Sequence, residues 1–300
     1  MYHAPLAVAK ERTPITLMPV RSVMPTVCLA LAGMFLPARH VAAAVRPLDQ
    51  PPAMVRTALA NELRAAEDAT HPMRYLLRKQ TPHLASSREI CETKEGAVAR
   101  LLSIDDAPLD PAAEQREIAR LEELAGDPGR QLRRKQAEAA DTARALKVLR
   151  LLPQAFVYQD IGPAEDGGLP IERFRFEPNP NFDPPDLETQ VLTAMAGEIW
   201  IDRAQMRVAR LDGHLQQSVN FGWGILGRLY KGGSIRIDQA EISPGLWRTV
   251  RLQMRMSARV LFRTRNFTML EEESRFTPVP ADLGYREAIE LLLGKEEARR

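Results

Sequence analysis

The sequence has few of the residues that build disulfides, metal sites or nucleophilic centres. Its 300 residues include two cysteines and five histidines. The histidines are scattered and lack the short spacings of metal ligands, so we predict no metal site. No Gly-x-Ser-x-Gly or His-Glu-x-x-His motif is present, and no group of side chains predicts a catalytic centre. These absences predict a non-enzymatic protein without a cofactor.

Long apolar runs are also scarce. A membrane-spanning helix needs about 20 consecutive apolar residues, and the uncharged run Val23–Leu36 is shorter than that, so we expect no permanent membrane anchor. The run fits the apolar centre of a signal peptide instead. Arg21 supplies the preceding positive charge, Pro37 ends the run, and Ala42–Ala44 offers small residues for cleavage.

We therefore predict that residues 1–44 are a signal peptide, with Met18 as an alternative start, and that cleavage occurs near Ala44. The mature protein would then be periplasmic or secreted. Cys28 lies inside the apolar run and is not preceded by the Leu-small-small pattern of a lipidation site. Cys91 is the only cysteine of the predicted mature chain, so an internal disulfide is excluded.

The chain also has no large excess of positive or negative charge. The whole chain carries a formal charge of +2, and residues 1–44 contribute four basic residues and one acidic residue to it. The predicted mature part is therefore near −1. Such a balance leaves no net field for nucleic acid or an anionic membrane, and we predict no nucleic-acid partner.

The sequence contains a strictly alternating strand near its end. From Thr249 to Phe262, apolar residues alternate with polar ones, which gives one apolar face and one wet face. Parallel sheets are buried on both faces, so this pattern favours an antiparallel sheet. The apolar face consists of Val250, Leu252, Met254, Met256, Ala258, Val260 and Phe262.

Other strands and helices complete an α+β pattern. We predict strands at 74–80, 88–93 and 97–104 and a β-meander from Phe156 onward. Amphipathic helices are predicted at 54–69 and 282–293, and both are candidates for a lid over an apolar sheet face.

A charged helical hairpin interrupts the strands at about residues 110–152. Asp110-Pro111 and Asp127-Pro128 each have the pattern of a helix start. Gly126 is predicted to cap the first helix and Pro153 to end the second. A solvated hairpin that lies on the sheet is the expected arrangement, and a dedicated docking arm is the alternative.

The stretch Gly222–Gly227 matches the dinucleotide-binding pattern Gly-x-Gly-x-x-Gly. That site requires a helix directly after the glycines, and the following residues are poor helix formers. We interpret the stretch as a glycine-rich turn. Its Trp223 is expected either to fold into the core or to rim a cavity opening.

Two consecutive segments, Gly197–Asp202 and Val208–Gly213, resemble the bacterial LolA/LolB-like outer-membrane lipoprotein-carrier superfamily. The resemblance covers roughly residues 156–280 and rests on strand rhythm. It implies an open half-barrel whose apolar concave face is covered by helices and shelters acyl chains or partner peptides. The chain lacks the lipidation motif of the family's acylated member and carries a helical insertion that is not part of the usual carrier, so no binding residue is carried over.

These observations lead to two hypotheses for residues 45–300, which we treat as a single half-barrel-like domain. The first is an exported carrier or sensor that binds a lipid, lipoprotein or other long apolar ligand in the half-barrel. The second is a non-catalytic envelope module that binds another protein and has no ligand cavity. Methionines suit adaptable apolar cavities and also fill ordinary cores, so both remain open. The candidate cavity residues are Val250, Leu252, Met254, Met256, Val260, Phe262 and Trp223.

Overall fold

The structure is a computed structural model that describes residues 50–221, 227–260 and 263–295. The predicted signal peptide, Trp223 and Phe262 lie outside these ranges, and the side chain of Val260 is likewise not described. The expectations about them therefore stay predictions.

The first half of the described chain holds four strands and three helices. Helix α1 (Ala53–Glu67) is followed by β1 (Met73–Thr81), β2 (Leu84–Cys91), β3 (Val98–Ile104) and β4 (Ala107–Pro108). The helical insertion comprises α2 (Pro111–Gly126) and α3 (Pro128–Ala155).

The second half is the predicted β-meander. Its strands are β5 (Phe156–Asp166), β6 (Leu169–Pro178), β7 (Met195–Asp202), β8 (Arg207–Leu215), β9 (Val219–Phe221), β10 (Gly227–Leu229), β11 (Ser234–Ser243), β12 (Leu246–Val260) and β13 (Arg263–Pro278). A 3₁₀ turn, Thr189–Ala194, precedes β7, and α4 (Tyr285–Leu292) follows the last strand.

All thirteen strands belong to one antiparallel sheet. Its order is β4-β3-β2-β1-β13-β12-β11-β8-β7-β6-β5, and β10 joins it by pairing with β12 and β9. The outermost strands β4 and β5 do not pair with each other in the described residues, so the sheet stays open. The fold is an α+β open half-barrel, as the sequence and its resemblance predict.

The helical insertion begins as its sequence predicts and ends differently. Asp110 and Asp127 accept hydrogen bonds from the backbone N–H groups of Ala113 and Arg130, at 2.6 and 2.8 Å. Gly126 lies inside α2, and Asp127 both ends α2 and caps α3, so the glycine cap was wrong. Pro153 lies within α3 and does not end it; Ala155, which is fully buried, closes the helix.

Helices α1 and α4 cover different parts of the sheet. Helix α1 packs against β7 and β8, where its Val55 and Leu59 are buried with Ile199 and Val208. Helix α4 packs against α2 and the β2–β3 hairpin, and Ile289 is buried there with Leu121. Helix α4, one of the two candidate lids, therefore does not cover the apolar face of β12, because α2 and this hairpin bury its apolar side.

Candidate functional site

An apolar cavity of about 440 Å³ lies between the sheet and helices α1 and α3. Ligand pockets in proteins commonly range from about 300 to 1,000 Å³, so the space is large enough for a small molecule or part of a chain-like one. Apolar side chains from both layers line it: Leu59, Leu146, Val148, Leu149, Leu152, Phe156, Phe176, Val191, Ile199, Val208, Leu211, Leu229, Ile235, Ile237, Leu252, Met254 and Met256.

The β11–β12 pair forms the central part of the sheet wall. In the antiparallel register Leu252 lies opposite Ile237 and Met254 lies opposite Ile235, which puts their side chains on the same face. Met256 continues this row toward the end of the strand. Three of the seven candidate residues, Leu252, Met254 and Met256, thus line the cavity.

Val250 does not line the cavity, although strict alternation predicts it there. Asp238 pairs with Arg251 and Gln239 pairs with Thr249, so β12 carries one extra residue opposite β11. This extra residue is Val250, and such a bulge interrupts the alternation. Thr249 lines the cavity beyond the bulge, where the alternating pattern predicts a wet face.

The second wall comes from α3, although its sequence predicts a solvated helix. Its N-terminal half is fixed to the β2–β3 turn, because Gln131 Nε2 donates to the carbonyl groups of Glu95 and Gly96 at 3.0 and 3.1 Å. The Glu138 carboxylate accepts a hydrogen bond from the N–H of Ala97. A helix of 28 residues is about 42 Å long, so α3 reaches from this turn to the cavity.

The C-terminal half of α3 carries the apolar side chains that face the cavity. Leu146, Leu149 and Leu152 all line it at intervals of three residues, together with Ala145 and Val148. This spacing puts them on one side of a helix. A cavity wall could have been predicted from this spacing in the sequence.

Glu62 and Arg207 form a buried ion pair at the cavity, between α1 and β8. The Glu62 carboxylate also accepts hydrogen bonds from the N–H of Val208 at 2.9 Å and from Gln239 Nε2 at 3.0 Å. Glu62, Arg207 and Gln239 all line the cavity. Because both charges are paired and hydrogen-bonded, they hold α1 on the sheet without leaving a bare charge in the apolar space.

Two further polar side chains that line the cavity, Glu271 and Tyr158, are also paired. Lys79 Nζ lies 2.7 Å from Glu271 Oε1 across β1 and β13. The Tyr158 hydroxyl donates to the Leu152 carbonyl at 2.9 Å, and burial raises the pKa of Tyr158, so this side chain is neutral at physiological pH. The wall therefore combines an apolar centre with compensated polar groups.

The described residues contain no group of three or more His, Cys, Asp or Glu side chains arranged to hold a metal ion. Among the same residues, no helix is both long and apolar enough to cross a membrane. Cys91 is a free, fully buried thiol, and burial raises its pKa to about 12.

No protein-family model and no curated protein sequence matches the chain. Several solved structures match this chain over much of its length, at low identity. A domain assigned to outer membrane lipoprotein sorting, from Vibrio parahaemolyticus, is 9% identical with a TM-score of 0.32, and the match covers 79% of this chain and 97% of that one.

A DUF1329 family protein from Desulfovibrio piger is 9% identical with a TM-score of 0.28 and coverage of 77% and 93%. The Pseudomonas aeruginosa MucA/MucB complex contributes a chain that is 12% identical with a TM-score of 0.20 and coverage of 75% and 99%. This likeness concerns the fold alone, and it assigns no ligand and no residue role.

Proposed function

We propose that residues 45–300 form one exported domain that carries or senses a long apolar ligand, such as a lipid or the acyl chain of a lipoprotein, in the half-barrel cavity. The observation that supports this proposal most directly is the apolar space of about 440 Å³ between β11–β12 and the two helices. In an interaction module without a cavity, the sheet and the helices would pack directly against each other, because protein interiors are close-packed.

The composition of the walls favours a flexible apolar ligand. Leu, Ile, Val and Met side chains supply most of the apolar lining, and methionine adapts its shape readily. Among the charged groups of the wall, Glu62 pairs with Arg207 and Glu271 pairs with Lys79. The apolar centre of the wall offers a small polar substrate few hydrogen-bonding groups, whereas a hydrocarbon chain needs none.

Filling the cavity from α3 tests the carrier proposal. Ala145 lines the cavity, so Ala145→Trp should occupy its space and abolish uptake of a fluorescent fatty acid. Ala143 is exposed two residues earlier on the same helix, and Ala143→Trp is the matched control that should bind the probe like the wild type. Equal binding by both variants, or a wild type that never takes up probe, would refute the proposal and favour the protein-binding module.

Export is a separate part of the proposal and has its own test. The predicted signal peptide, with Arg21 before the run Val23–Leu36 and Ala42–Ala44 behind it, supports a periplasmic location. N-terminal sequencing of protein from the envelope fraction should begin near Val45. Protein that stays in the cytosol with an uncleaved N-terminus would contradict export.

A further inference from the structure

A group of basic residues lies at one end of the sheet, where β10, β12 and β13 meet. No acidic residue occurs from 213 to 237 or from 242 to 270, and these stretches form most of β9 to β13. We define the cationic tip as six side chains at this end: Arg228, Lys231, Arg255, Arg259, Arg263 and Arg265.

The register of the strands brings these residues together. Arg228 on β10 lies opposite Arg259 on β12, and Arg263 and Arg265 lie opposite Val260 and Ala258. On β13 the first acidic residue after Arg263 is Glu271, eight positions along the strand, which corresponds to roughly 26 Å. This part of β13, which carries Arg263 and Arg265, therefore lacks the carboxylates that accompany arginines elsewhere on the sheet.

Arginines elsewhere on the sheet form ion pairs with carboxylates. Arg210 contacts Asp166 and Asp238 at 2.9 and 2.6 Å, and Arg78 contacts Asp106 at 3.0 Å. By comparison, Arg255, Arg263, Arg265 and Lys231 are exposed and make no ion pair with any described residue. The near-neutral net charge of the predicted mature chain thus hides a local excess of positive charge.

The cationic tip carries charge on both faces of the sheet. Leu252, Met254 and Met256 face the cavity, so alternation puts Arg255 and Arg259 on the opposite face. Arg265 pairs with the buried Ala258, and Arg263 two residues earlier points to the same cavity side. A flat polyanion would contact the basic residues of only one face. The headgroup layer of a bilayer can contact the basic residues of both faces when the tip enters it.

We propose that the cationic tip docks the protein reversibly on a membrane surface that contains anionic phospholipids. Charge complementarity to phosphate headgroups provides the attraction, and Tyr230, whose ring lies 5.7 Å from the Arg228 guanidinium, is a residue type enriched at the membrane–water interface. The cavity-lining residues Leu229 and Met256 lie beside the tip, so docking brings one end of the cavity to the lipid surface. The proposal does not depend on what the cavity holds.

Vesicle flotation tests this proposal with the protein purified from the envelope fraction. Wild-type protein should float with vesicles of phosphatidylglycerol and phosphatidylcholine in equal parts, and should stay unbound with phosphatidylcholine alone. Each basic residue at an anionic surface strengthens binding roughly fivefold, so the triple variant Arg255→Gln, Arg263→Gln, Arg265→Gln should lose roughly 100-fold in partitioning. Added salt should weaken wild-type binding.

A second triple variant is the control, because it changes the net charge of the protein by the same amount as the tip variant. Arg116, Arg133 and Arg175 are exposed and lie outside the tip, so replacing all three with Gln should leave vesicle binding near the wild-type value. Equal loss in the two triple variants would overturn a localised site, and equal wild-type binding to both kinds of vesicle would overturn the role of anionic lipid. If the tip variant does not fold, the single variants Arg263→Gln and Arg265→Gln should each show roughly a fivefold loss.

Soluble single-stranded DNA serves as the competing polyanion. Binding of DNA that matches vesicle binding in strength and is lost in the same tip variant would overturn membrane docking in favour of general polyanion binding. Uptake of the fluorescent fatty acid, measured in the same variants, should be unchanged. This second measurement separates failure of the docking proposal from failure of the carrier proposal.

Discussion

Arg207 donates two hydrogen bonds to the Glu62 carboxylate, from Nε to Oε1 at 2.8 Å and from Nη2 to Oε2 at 3.1 Å. The side chains are only 11% and 9% exposed, so the pair joins α1 to β8 away from bulk water. Removing one partner of a buried pair leaves an uncompensated charge, which typically costs about 3–5 kcal/mol.

Glu62→Ala should therefore lower the free energy of unfolding by about 3–5 kcal/mol in urea titrations. Glu67 is the matched control on the same helix, because its pair with Arg150 is about half exposed on both sides. Glu67→Ala should cost about 1 kcal/mol or less. Similar losses for the two variants would show that the buried pair does not hold α1 in place.

The β7–β8 hairpin contains a close backbone approach that only glycine permits. Gly197 lies opposite Gly213, and a Cβ added to Gly197 would lie 1.9 Å from the carbonyl oxygen of Asp212. Gly197→Ala should force the strands apart and cost roughly 4 kcal/mol, in the exceptional range for single substitutions.

Gly126 provides the opposite case, because it is helical and has no atom within 4 Å of an added Cβ. Gly126→Ala should leave stability unchanged or raise it by about 0.5–1 kcal/mol. Thermal unfolding of the two variants measures both effects. A tolerated Gly197→Ala would contradict the register of this hairpin.

The buried thiol of Cys91 predicts a specific response to alkaline pH. Burial raises its pKa to about 12, whereas an unfolded cysteine has a pKa near 8.5. A raised folded pKa stabilises the protein below the unfolded pKa, and this contribution is lost as the pH rises from about 8.5 toward 12. The unfolding free energy of wild type should therefore fall more steeply over this range than that of Cys91→Ala.

Cys91 should also be inert in the folded protein. A thiol reagent at neutral pH should modify it only after unfolding, and reducing agent should leave the unfolding midpoint unchanged, because Cys91 is the only cysteine of the predicted mature chain. Rapid modification of native protein, or a large shift with reductant, would contradict its burial or reveal a disulfide between chains.

The sequence predicts the strand faces well because side chains alternate with a fixed period of two. That rule places Leu252, Met254 and Met256 on one face, as observed. It fails at Val250 because the bulge depends on how β11 pairs with β12. Pairing is a property of two segments, and the pattern of one strand does not contain it.

The helices show the same division between local and tertiary information. The caps Asp110 and Asp127 are local signals and are confirmed. The role of α3 as a cavity wall depends on Gln131 and Glu138 holding it against the β2–β3 turn, and this contact joins residues far apart in sequence. Glu62 likewise looks like an ordinary surface charge until β8 brings Arg207 to it.

Met254 and Met256 lie two residues apart on the cavity face and differ in burial. Met254 is 3% exposed and packs with Ile235 and Met269, whereas Met256 is half-buried beside the cavity. A carboxylate at position 254 would be enclosed by apolar side chains, which costs several kcal/mol, so Met254→Asp should be strongly destabilised.

At position 256 the introduced carboxylate can stay in contact with water, so Met256→Asp should remain folded and lose uptake of the fluorescent fatty acid. Circular dichroism reports the fold of each variant, and the probe titration reports the cavity. Folded Met256→Asp that binds probe like the wild type would show that this end of the cavity does not hold the ligand. Unfolding of both variants to the same extent would instead show that the β12 face is a closed core, and the carrier proposal would then fail together with the cavity.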